Sequence, residues 1–275
     1  MPAAYAHLTF GRRVLDALPG GALKDLIQKR TDLFEIGLLG PDILFFYQPL
    51  RHHPVNRIGH ELHDKSGTFF LDREVCKQAT EEQLAYLLGF ICHYALDSEC
   101  HTLVEYYMEK IGREHSTIET DLERFLMVRD GLDCFRHAAT SCIRNTTANA
   151  SAIAPFYGIR PGDVCLSLAS MKLIGRLLTP SSALKHKLLS RAGAMMGERS
   201  IVTQLTMDRD PDPVYSESNH AIAQRIESSI PVAIALMDNF FAWHQNKDAL
   251  SQRFRPNFSY DPEELARLKE RDTRV

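Results

Sequence analysis

Period-two alternation of apolar and polar residues, the mark of a half-buried strand, is rare along the 275 residues, which argues against a sheet. No apolar run approaches the ~20 residues that a membrane-spanning helix needs. The longest lie near 85–92 and 231–237, so no integral membrane segment is expected. The opening stretch, MPAAYAHLTFGRRVLD, has no positive region followed by an apolar core and a small-residue cleavage site, and no secretory signal is expected. The six cysteines (Cys76, Cys92, Cys100, Cys134, Cys142 and Cys165) form no C-x-x-C pair and no framework spacing. Reduced thiols in a cytoplasmic protein are the expectation. An excess of one charge is missing too: 32 Lys and Arg against 35 Asp and Glu leave −3. That balance favours neither nucleic acid nor an anionic membrane as partner. Internal repeats, low-complexity tracts and long linkers are also absent.

What is present is helical periodicity, with apolar residues recurring at three and four nearly everywhere. The pattern predicts about ten helices, over 7–18, 21–33, 57–79, 81–111, 113–137, 140–152, 162–178, 181–196, 218–243 and 261–270. Thr80 with Gln83 three residues later predicts a capping box at the start of the 81–111 helix. Two stretches are expected to be irregular: GPDILFFYQPLRHHP (40–54) and MDRDPDPVYS (207–216). The second carries Asp208, Asp210 and Asp212 but lacks the glycine and closing glutamate of a calcium loop, and reads as a solvated connection. The simplest architecture is one all-α, multi-helix domain over 1–275. In it, 3–120 carries a metal cleft and 121–275 completes the helical core.

Polar residues of the metal-binding kind interrupt the apolar 81–111 segment. His93, Asp97 and His101 are four apart each time, and His115 and Glu119 repeat the step. A step of four advances about 400° round an α-helix, so these side chains stack along one face with ~40° of drift. Imidazole and carboxylate converging from one face is the donor set that zinc selects. Burying so many ionisable groups without a cation is costly by several kcal/mol per group, on the order of the desolvation penalty. Twelve histidines are present, eight of them before residue 116, so further donors lie in the same half: His7, Asp42, His60 and His63. Two familiar signatures are excluded. His60-Glu61-Leu62-His63 is one residue short of the zinc-protease H-E-x-x-H, and paired Glu-x-x-His motifs of a di-iron bundle are missing.

The ordered pieces AYAHLTFG, GPDILFF, GHELHD, GFICHYALDSECH and HSTIE, spanning roughly 3–120, resemble the zinc-dependent phospholipase C family, related in fold to zinc single-strand nucleases. The resemblance implies an all-α fold holding up to three zinc ions in a cleft where a phosphodiester is hydrolysed. It implies His7 as a ligand of the zinc nearest the N-terminus and Asp42 as the carboxylate at the metal-bridging water. His63, or alternatively His60, would bind a second zinc with His93, and Asp97 would bridge the two. His101, His115 and Glu119 would bind the third. In secreted members the mature N-terminal tryptophan binds zinc through its own backbone. Here the chain begins Met1-Pro2 with His7 six residues in, so this first position is completed differently, weak or empty.

The functional expectation is therefore a zinc-dependent phosphodiesterase of phospholipase C type with two to three zinc ions and Asp42 as candidate general base. Its substrate would be a phospholipid or small phosphodiester, and nucleic acid is not expected because Arg51-His52-His53 is the only basic cluster near the site. Phe45, Phe46 and Tyr47 are the aromatics best placed to line a pocket, with Tyr5, Phe69 and Tyr94 behind them. Two alternatives stand beside this: an HD-type nucleotide phosphohydrolase built on His63-Asp64, and a helical metal-binding protein without catalysis. Oligomeric state is not legible.

Overall fold

The computed structural model describes residues 4–49, 51–197 and 200–272. Among them every named element is helical, fourteen α-helices and four 3-10 helices, and β-pairing is confined to one isolated bridge between Ser66 and Asn257. The all-α single domain is thus as expected, with more and shorter helices than the periodicity predicts.

The helix Glu81–Ile111 runs through the centre. Its start is the expected capping box: Gln83 N donates to Thr80 Oγ1 (3.3 Å) and Thr80 N donates to Gln83 Oε1 (3.0 Å). It ends at Gly112, whose φ of 64° is the left-handed cap that glycine adopts without strain. Every residue from Leu84 to Asp97 is buried. A helix apolar on all sides must be surrounded, and Thr31–Gly37, Ser216–His244, Ala4–Ala17, His115–Arg129 and Pro262–Asp272 all pack on it.

The tightest of these contacts sets the metal cleft. Gly37 and Gly89 face each other, and a Cβ on Gly89 would lie 2.9 Å from both Gly37 Cα and Leu38 N. With no side chains between them the two backbones meet. That brings the Leu38 carbonyl 3.2 Å from Nδ1 of His93, one turn beyond Gly89. The chain then reverses at Gly40 (φ +52°), where a Cβ would strike the His93 ring. From there Gly40–Phe46 forms a 3-10 helix, regular where an irregular segment is expected, and it carries Asp42.

Three predicted helices are broken. The 57–79 helix becomes Pro54–His63, Gly67–Leu71 and Glu74–Lys77. Ser66 Oγ caps Phe69 N (3.1 Å), and Gly67 N donates to Pro256 O (3.2 Å), so backbone from the far end of the chain replaces the helical partner. The 21–33 helix divides at Arg30 into Ala22–Lys29 and Thr31–Gly37. The 113–137 helix is His115–Arg129 and stops before Gly131, at φ 77°. The 140–152 helix is displaced to Thr147–Tyr157, where Thr146 Oγ1 caps Asn149 N (3.1 Å). The 207–216 stretch is a connection, as expected, with one turn of 3-10 helix at Pro213–Tyr215.

Gly89→Ala is predicted to lower the unfolding free energy by about 1–3 kcal/mol or more, because the colliding atoms are backbone. Gly20→Ala, with nothing within 4 Å of its Cβ position, is expected to be nearly neutral. Urea unfolding of the two variants checks this; equal midpoints would contradict it.

Candidate metal centre

Asp97, 4% exposed, lies where five elements meet. Its Oδ2 is 3.0 Å from His93 Nε2 and 3.8 Å from His63 Nε2. Its Oδ1 is 3.2 Å from His7 Nε2 and 3.7 Å from His101 Nε2. Asp42, also buried, places Oδ1 2.9 Å from His63 Nε2 and Oδ2 3.9 Å from His93 Nε2. One turn along the central helix from Asp97, His101 Nε2 is 3.7 Å from Oε1 of Glu119 on the helix His115–Arg129, and that oxygen is 3.1 Å from His115 Nε2. Three donor groups result among the described residues: Asp42, His63 and His93; His101, His115 and Glu119; and His7, His93 and Asp97.

The imidazoles are oriented from behind. Nδ1 of His63 lies 2.7 Å from Gly59 O, that of His93 3.2 Å from Leu38 O, and that of His101 2.5 Å from Phe258 O. A carbonyl only accepts, so each Nδ1 carries a proton, and each Nε2, once free of its own proton, turns a lone pair toward the carboxylates. Lone pairs then face lone pairs in a buried space, which is unfavourable unless a cation lies between them. His93 Nε2 and Asp42 Oδ1, both buried, indeed find no hydrogen-bond geometry despite their close neighbours. Donors held about 2.0–2.1 Å from a tetrahedral ion lie about 3.3 Å from one another, and the donor separations of 2.9–3.9 Å bracket that edge. Residues and geometry fit zinc.

The groups are unequal. His93 occurs in two of them, yet with Nδ1 held by Leu38 O it has a single Nε2 to give. Assigned to Asp42 and His63, it leaves His7 and Asp97 Oδ1 as the side-chain donors of the remaining position. Residues 1–3, ahead of His7, lie outside the described residues.

Electrostatics follow from this packing. Burial by itself raises the Asp97 carboxyl, but His93, His101 and His7 pull it well below the usual range. Asp42 is likewise lowered, by His93 and His63 against its burial. Glu119 falls well below its usual value through His115 and His101 despite its burial. His101, which burial would lower, is pushed up to about 9 by Asp97 and Glu119. Glu123 differs: burial pushes it up to about 8. It accepts the Tyr5 and Ala6 amides at the start of the first helix, tying the helix of His7 to that of Glu119.

The model of the zinc-dependent phospholipase C family matches residues 6–156. The chain belongs to that family. No curated protein and no solved structure matches it.

All the expected donors of this family member except His60 fall in the three groups. His60 is exposed and stacks on Phe45 with ring centroids 4.4 Å apart, while His63 turns inward. Asp64 is exposed just beyond the helix end, in none of the groups. Of the aromatics expected to line a pocket, Phe45 lines the cleft, whereas Phe69 lies outside it and is 54% exposed. Tyr47 is tied to Asp163 (3.2 Å) and Tyr5 to Asp130 (2.8 Å). Arg124, on the helix of Glu119, is buried against Asp121 at 2.7 and 3.0 Å.

What the sequence reading missed lies at the other end of the chain. Tyr94 Oη donates to Arg253 O (2.9 Å) and Pro256 O (3.0 Å), strapping the 253–261 segment across the centre. Phe258 is fully buried beside His63 and His93, its N donates to His63 O (3.3 Å), and its carbonyl orients His101. Ser259 and Tyr260 follow as cleft wall, opposite Glu105 and Phe45. No spacing signal joins residue 258 to residue 101; only the fold does.

Zinc must displace the His101 proton, so affinity for the His101, His115 and Glu119 group is predicted to rise with pH to about 9. Below that it falls roughly tenfold per pH unit. Zinc competition titrations between about pH 6 and 9 check the slope; a pH-independent affinity would contradict it.

Proposed function

We propose that the chain is a zinc-dependent phosphodiester hydrolase of phospholipase C type, acting on a phospholipid or another small phosphodiester. The observation that supports this most is Asp97, whose two oxygens face different donor groups above a single open cavity of about 280 Å³. A substrate phosphate entering there meets both groups at once. Zinc held by Asp42, His63 and His93, by His101, His115 and Glu119, and near His7 would supply Lewis acidity, acidifying water and offsetting charge on phosphoryl oxygens.

The protein's own residues do the rest. His63, His93, His101 and His115 give neutral Nε2 donors, with Nδ1 protons on backbone carbonyls for the first three. Asp97 keeps its charge and spans the groups. Asp42, ionised between His63 and His93, accepts the proton of the attacking water. Water oxygen bonds to phosphorus in line as the bond to the opposite ester oxygen breaks; that oxygen takes a proton from solvent, and Asp42 then releases its own to solvent. Phe258, Ser259 and Tyr260 cover one side of the cavity and limit its solvent.

Phospholipid ranks above nucleic acid because the cavity wall contributes Glu105 and no lysine or arginine. The HD reading requires Asp64 at the metal, and its exposure past the helix end speaks against that. A cytoplasmic location agrees with six free cysteines, and among the described residues no helix is long and apolar enough to cross a membrane.

Purified protein is expected to hydrolyse bis-p-nitrophenyl phosphate and phosphatidylcholine, to lose both activities to a chelator and to regain them with zinc. Asp42→Asn should lower kcat by about 10²-fold or more, the general-base range, and by far more than it lowers zinc content. Asp64→Ala should retain zinc and turnover. Bound zinc without turnover on either substrate would favour the non-catalytic alternative, and equal loss of zinc and activity in Asp42→Asn would make Asp42 a ligand only.

A further inference from the structure

Among the described residues ten large apolar side chains are markedly exposed, and seven of them lie in two consecutive helices, Pro161–Leu178 and Ala183–Met196. Leu166, Leu173 and Leu177 follow steps of seven and four, which put them on one face of the first helix. Leu184 and Leu188, with Met195 seven residues on, do the same on the second. Single exposed leucines are ordinary, but a concentration of this kind marks a docking surface. The second helix buries only Gly193, so packing within the domain does not explain its leucines.

Charge decides what the surface fits. Residues 161–196 hold Lys172, Arg176, Lys185, Lys187 and Arg191 against the single acid Asp163. A local excess of five minus one, or +4, thus stands in a chain whose net charge is −3; Lys172 and Lys185 place their ammonium groups on main-chain carbonyls, and Arg176, Lys187 and Arg191 are exposed. Arg191 falls within the apolar stripe itself, between Leu188 and Met195. A second copy seated face to face would oppose one cationic patch to another. Exposed Leu and Met among Lys and Arg are instead what inserts at the boundary of an anionic bilayer, chains on the acyl side and charges on the headgroups.

We propose that Pro161–Met196 is an interfacial docking surface for anionic phospholipid membranes. It lies beyond the 6–156 segment that matches the family model, and it stands on its own observations rather than on the metal centre.

Sedimentation of the full chain with vesicles of phosphatidylcholine alone, or with a third of phosphatidylglycerol, tests it. Binding should be at least tenfold stronger to the anionic vesicles and weaken at high salt. Each basic residue contributes about fivefold in partition, so Lys187→Glu/Arg191→Glu should reduce binding at least tenfold. Leu184→Ser/Leu188→Ser should do likewise, and these exposed changes should leave the circular dichroism spectrum and turnover of soluble bis-p-nitrophenyl phosphate intact. Absence of vesicle binding, or binding unchanged in both variants, would overturn the proposal. So would self-association of the wild type that Leu184→Ser/Leu188→Ser abolishes while vesicles are ignored. Failure of the hydrolase reading is told apart by wild-type inactivity on the soluble ester, which does not touch the vesicle result.

Discussion

A buried carboxylate enclosed by imidazole Nε2 atoms from three helices is the constraint on which this molecule rests. Asp97 cannot leave the interior, because it sits in the middle of a helix whose preceding turns are buried on every side. Around it, His63, His93 and His101 each hold one proton on a carbonyl behind them, which aims their Nε2 atoms at the carboxylates. Divalent cations at this point would reconcile these demands, converting an expensive buried cluster into a set of bonds between helices. Fold and chemistry are coupled at this point: the donors come from segments that are otherwise distant in the chain.

Each donor is held by a different local device. A glycine–glycine crossing brings the carbonyl of Leu38 to His93, and Gly40 leaves room for that ring beneath the turn carrying Asp42. Glu123 gathers the first amides of the His7 helix. The 253–261 strap, clamped by Tyr94, closes the remaining side and orients His101 through a main-chain oxygen. None of these devices belongs to the donor set, yet each fixes a donor's angle, which is the part of a metal site most sensitive to displacement.

The legible and illegible parts of this arrangement separate along physical lines. Helical periodicity and a four-residue step are local, so His93, Asp97, His101, His115, Glu119 and the Thr80 capping box could be read directly. The choice of His63 over His60 depended on which face of a short helix meets Asp42, and that is a tertiary fact. The break after His63 depended on Pro256 supplying a carbonyl from nearly two hundred residues away. Phe69 reads as core by composition, but its neighbour Phe70 takes the buried place. The strap left no trace in spacing because its contribution is main-chain, and main-chain groups are the same in every sequence. The uneven placement of charge was likewise invisible in a net value of −3.

The most direct test is anomalous diffraction at the zinc edge from crystals of protein purified without added metal. Peaks are predicted at the point shared by Asp42, His63, His93 and Asp97, and at the point shared by His101, His115 and Glu119. A map without peaks there, showing these side chains turned apart into ordinary hydrogen bonds, would contradict the account at its root.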